Sequence, residues 1–232
     1  LSGWLLGRRD VRDGGRQFSR LSSDYFKGLN FLLNEQPDKA IEVFIHMLEV
    51  DSDTVDTHFA VGNLFRRRGE VDRAIRIHQN LIARPTLSRQ QRDQALYELG
   101  NDYMRAGLLD RAENLFQELV AESTAYRPQA LWQLLDIYQQ EKEWHKAIAV
   151  GQRLQGMGTE GISPIIAQFF CEQAEQALML GERTDALRLA RRALVEDRNC
   201  VRATLLEGRL ELEAGDHKAA VRIFRRVEQQ DP

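Results

Sequence analysis

Cysteine is scarce in this 232-residue chain: there are two, Cys171 and Cys200, and they form no close pair in sequence. That spacing argues against a disulfide framework and for two buried or half-buried thiols in a reducing compartment. The five histidines (His46, His58, His78, His145 and His217) are scattered, with no two at metal-ligand spacing, so they read as surface or packing residues and no metal site is assigned. Apart from Gly14-Gly15 the glycines stand singly, which leaves no phosphate-cradling loop. No Ser or Cys nucleophile has a paired base, and the chain is not read as an enzyme. The Asp and Glu pairs read as solvated helix faces. An excess of one charge is missing too. Thirty-two basic and 35 acidic residues leave a net charge of -3, without the broad basic field that nucleic acid calls for.

A long apolar run is also absent. The opening LSGWLLGRR (1–9) is too short to span a bilayer, which takes roughly 20 apolar residues. It reads as the end of a membrane helix, with Trp4 near the interface and Arg8 and Arg9 on the cytoplasmic side. Residues 10–20, DVRDGGRQFSR, read as a flexible juxtamembrane linker.

What the chain does have is a period. Small residues recur at Gly28, Gly62, Gly100, Ala174 and Gly208, with Leu135 in the fourth place. An alanine recurs at Ala40, Ala74, Ala112, Ala147, Ala186 and Ala220, and the two series drift together. Phe31, Phe65, Tyr103 and Tyr138 follow the small-residue position by three, and Phe44, Phe116 and Phe224 follow the alanine by four. Gly69, Gly107, Gly181 and Gly215 mark a turn between two helices. In GNLFRRRGEVDRAIRIHQNLIA (62–83), two short helices each carry an apolar stripe that neither can bury alone. The run Arg66–Arg68 reads as the polar, cationic end of the first helix.

A helix-turn-helix period near 34 residues with these markers resembles the tetratricopeptide repeat. The resemblance implies an all-α, right-handed α-solenoid of about six repeats: 21–54, 55–88, 93–126, 128–161, 167–200 and 201–232. No polar cap follows the last repeat, so the native chain is expected to continue. In this repeat the first helices line the concave surface. Asn63 and Arg67 sit four apart on one of them, and Asn101 and Arg105 repeat the pair on the next. Asn can bond both groups of an extended backbone and Arg can grip a carboxylate. Tyr97, Trp132 and Asp136 take comparable positions. These seven residues make a candidate peptide-binding groove; the alternative is that Asn63 and Asn101 bridge neighbouring helices.

Three stretches are more specific than the generic repeat: SRLSSDYFKGLNFLLNEQPDKAIEVF (19–44), GNLFRRRGEVDRAIRIHQNLI (62–82) and LGNDYMRAGLLDRAENLFQEL (99–119). With the LLGRR start, they resemble the lipopolysaccharide assembly protein B family. The resemblance implies an N-terminal membrane helix, a cytoplasmic repeat array and a C-terminal rubredoxin-like ribbon holding iron or zinc. It places the chain at the bacterial inner membrane, single-pass, with its bulk on the cytoplasmic side. The implied role is an adaptor that presents the LpxC deacetylase to the membrane protease FtsH, restrained by the sensor PbgA (YejM). No CxxC pair occurs here, so the ribbon lies outside this sequence and no cofactor is assigned. Two other readings stay open: a generic tetratricopeptide scaffold or assembly factor, and a scaffold that organises lipopolysaccharide enzymes. Association between copies through the last repeat is open as well.

Overall fold

The computed structural model describes residues 26–31, 36–50 and 55–230, except for the side chains of residues 37, 38 and 47–50. The membrane-stub (1–9) and linker (10–20) readings fall outside those residues. Every regular element described is a helix: α1 (26–31), α2 (Pro37–Val50), α3 (Val55–Arg67), α4 (Val71–Ile82), α5 (Arg89–Arg105), α6 (Leu109–Glu122), α7 (Arg127–Gln140), α8 (Trp144–Gly156), α9 (Ile162–Met179), α10 (Arg183–Glu196), α11 (Val201–Glu213), α12 (His217–Phe224) and α13 (Val227–Gln230). None is long and apolar enough to cross a membrane.

The chain forms two compact units, 1–119 and 120–232. In the first, α3 packs on α2, α4 and α5, and α4 packs on α5. In the second, contacts run in sequence from α7 through α8, α9, α10 and α11 to α12, and α11 also touches α9.

The helices pair so closely because the recurring alanines present only a methyl group where they meet. Ala40, Ala74, Ala112, Ala147, Ala186 and Ala220 are at most 1% exposed. Facing side chains are matched in size. A Cβ on Gly100 would lie 2.6 Å from the ring of Phe116, and one on Gly62 would lie 2.5 Å from His78 Nε2. In the fourth helix pair the sizes are exchanged: Leu135 stands in the small-residue place, and Gly151 stands where Phe116 does. Interiors are packed near crystal density, so a methylene more on one helix calls for one fewer opposite.

The turn between paired helices has one construction. The N–H of Gly69 donates to the Arg66 carbonyl (3.1 Å) and that of Glu70 to the Phe65 carbonyl (2.9 Å). The pattern recurs at Gly107-Leu108, Lys142-Glu143, Gly181-Glu182 and Gly215-Asp216. This double bond closes a helix on a left-handed residue. Four of the five are glycine; the third in sequence is Lys142, at φ 58°.

Candidate functional site

Helices α3 and α5 run beside each other, tied by a side chain from the RRR run. Arg66, read from sequence as one of three cations at a helix end, instead reaches across to α5. It donates to Asp102 Oδ1 (2.8 Å), Glu98 Oε2 (2.7 Å) and the Glu98 carbonyl (3.1 Å). Burial opposes its charge, but Glu98 and Asp102 more than offset that and raise its pKa above the ordinary arginine value. Arg68 pairs locally with Glu70 at 3.1 Å. Only Arg67 of the three points outward without an acidic partner among the described residues.

On its other side Asp102 meets His78. His78 Nδ1 lies 2.5 Å from Asp102 Oδ2, and both side chains are fully buried. The carboxylate can only accept, so Nδ1 carries the proton of this bond. His78 Nε2 faces Gly62 and is buried without a hydrogen-bond partner. Asp102 therefore corrects the reading of the acidic residues as solvated faces. Glu207 does so too: it is 7% exposed and bound by Arg191 (3.0 Å) and Arg226 (2.5 Å). Two signals in the sequence pointed to the first network. His78 stands where Phe44, Phe116 and Phe224 stand, and Asp102 stands where Leu64, Ile137 and Leu210 stand.

The seven groove candidates divide between the units. In the first, Arg67 and Arg105 are exposed, and Asn63, Tyr97 and Asn101 are half-buried. Tyr97 packs edge-on against Phe116, with centroids 5.9 Å apart. Asn63 Oδ1 is buried without a hydrogen-bond partner, and the side chain that ties α3 to α5 is Arg66. Asn63-Arg67 and Asn101-Arg105 lie on α3 and α5, which pack against each other. In the second unit Trp132 is 38% exposed and Asp136 is exposed, one turn apart on α7. The arrangement can bind but holds no nucleophile–base pair, and the described residues contain no cluster of three metal-ligating side chains.

The cysteines were read as apart, and the fold brings them together. Cys171 lies in mid-α9 and Cys200 caps the start of α11, with their Sγ atoms 3.8 Å apart. Both are free and buried. The separation of 29 residues along the chain hid a contact that only the packing of α9 on α11 creates.

The tetratricopeptide repeat family model matches residues 97–161 and 171–232, and a second model of that repeat matches 57–92. Lipopolysaccharide assembly protein B of Escherichia coli K12 is 45% identical over 99% of this chain and 59% of its own length. The Haemophilus influenzae Rd protein of that name is 39% identical over 99% of this chain and 60% of its own length. The chain thus spans about three-fifths of the curated relatives it matches. Among solved structures, Pseudomonas aeruginosa PilF aligns at TM-score 0.53 and 18% identity, covering 93% of this chain and 94% of that one. The Cut9–Hcn1 hetero-tetramer aligns at 0.51 and 16%, covering 98% and 42%. At such identities these two speak for the fold alone. The all-α helix pairs, the size-matched packing and the family matches agree, and the chain belongs to the tetratricopeptide repeat family.

Proposed function

We propose that this chain is the protein-binding array of an adaptor in lipopolysaccharide assembly, anchored at the inner membrane through its N-terminal side. In this reading it presents the LpxC deacetylase to the FtsH protease and is restrained by the sensor PbgA (YejM). The observation that carries the reading is the 45% identity to lipopolysaccharide assembly protein B along 99% of the chain. The geometry is consistent with it. Arg67 and Arg105 are outward cations on adjacent helices.

The mechanism is proximity rather than chemistry. One surface holds the deacetylase, and another surface or the membrane segment holds the protease. Tethering converts a bimolecular encounter into one governed by a local concentration that can reach the millimolar range. No group in the adaptor then needs to react. The test is to deplete the full-length protein from cells and follow LpxC by immunoblot. The reading requires LpxC to accumulate and its FtsH-dependent turnover to slow; an unchanged level and half-life would leave only a general scaffold.

A further inference from the structure

Two thiols buried against each other need an account beyond packing, because neither helix requires cysteine at these places. In sequence register Cys171 matches Tyr97, Trp132 and Leu205, three residues before the small position of its helix. Cys200 is the residue from which α11 starts. Donors converge on its sulfur: Cys171 at 3.8 Å, Gln168 Nε2 at 3.5 Å and the backbone N–H of Ala203. The hydrogen bond with Cys171 pulls the Cys200 pKa below the ordinary thiol value, helped by the Ala203 N–H and Arg202 and opposed by burial. The same hydrogen bond, with burial, pushes Cys171 up. One sulfur is thus prepared to react first and the other to follow. The preceding residues Arg198 and Asn199 are exposed, so Cys200 lies just beneath a surface turn.

We propose that Cys171 and Cys200 form a redox-sensitive modification site, in which hydrogen peroxide joins the middle of α9 to the start of α11 through a reversible disulfide. The Cys200 thiolate attacks one peroxide oxygen. The O–O bond breaks, Cys200 becomes a sulfenic acid, and hydroxide leaves and takes up the thiol's proton as water. Cys171 sulfur then attacks the Cys200 sulfur, the S–O bond breaks, and the hydroxyl leaves with the Cys171 proton as a second water. Two thiols are oxidised to one disulfide and one peroxide is reduced to two waters. The bridge ties α9 directly to the α10–α11 turn, so oxidation restrains the opening of this helix pair.

The experiment treats the purified native chain with hydrogen peroxide, unfolds it in denaturant and counts thiols. The expected result is loss of both thiols, full recovery with dithiothreitol, and a non-reducing peptide map joining Cys171 to Cys200 within one chain. In Cys171→Ser, Cys200 should instead accumulate as a sulfenic acid that dimedone traps. Persistence of both thiols in the folded protein, their passage to sulfinic acid without a bridge, or bridges only between chains would each overturn the proposal. The wild-type thiol count decides it even if the variant fails to fold.

Discussion

At the scale of the residue, one missing methyl group sets how near two helices come. Gly100 faces the flat ring of Phe116, and an added Cβ would lie 2.6 Å from it. An aromatic ring in a close-packed interface cannot bend away as a flexible side chain can. Gly100→Ala should therefore cost about 1–3 kcal/mol in denaturant melts, and Phe116→Leu in that background should recover part of the loss. The second case is Asp102, fully buried between Arg66 and His78. Removing one partner of a buried charged network leaves the others uncompensated. Asp102→Ala should cost about 3–5 kcal/mol. Adding His78→Phe, which restores the residue type found at this place in three other repeats, should cost less than the sum of the two single changes. Strict additivity in that cycle would show that the two side chains act independently.

At the scale of the element, the same devices recur along the chain. A cation one residue before the packing alanine lies over the aromatic of the preceding helix. The pairs are Lys39 over Phe31 (5.7 Å), Arg73 over Phe65 (5.3 Å), Arg111 over Tyr103 (5.7 Å) and Lys146 over Tyr138 (5.2 Å). Each covers the outer edge of a helix pair where the ring would otherwise meet water. The turn is the second device, and Lys142 is its odd member. A side chain at φ 58° is strained where glycine at the four equivalent turns is not. Lys142 is exposed, so changing it should disturb little else. Lys142→Gly should raise stability by about 0.5–1 kcal/mol, read as a higher denaturation midpoint with unchanged slope. The aromatic and alanine series were legible in the sequence because each repeats near 34 residues. The cations recur one residue before the alanine too, but Lys and Arg are frequent on every exposed face, so their recurrence did not stand out.

At the scale of the molecule, a family match over 99% of the chain meets a surface whose outward cations are spare. Arg66 is committed to α5, whereas Arg67 beside it and Arg105 on the next first helix are exposed. Reversing both charges, Arg67→Glu with Arg105→Glu, should leave helical content and melting essentially intact, since exposed substitutions move stability by only about 0.5 kcal/mol. On the proposed adaptor reading, capture of LpxC or FtsH by this variant should fall by about tenfold or more, a loss of ~1.4 kcal/mol in binding. Undiminished co-purification with both proteins would remove the α3–α5 face from the binding surface.

The sequence by itself determined the repeat. Alanine, glycine and aromatic positions recur because each helix pair must solve the same packing problem, and a problem solved every 34 residues or so leaves a periodic trace. The turn glycines were legible for the same reason. Only the tertiary structure decided what the non-recurring residues do. It joined Asp102 to Arg66 and to His78 across 36 and 24 residues of chain, and brought Cys171 to Cys200 across 29. It also separated Arg66, Arg67 and Arg68, three identical letters, into a half-buried bridge, an outward cation and a turn partner. A helix shifts direction by about 100° per residue, so neighbours in sequence face different surroundings. Which surroundings those are depends on helices that the local sequence does not contain.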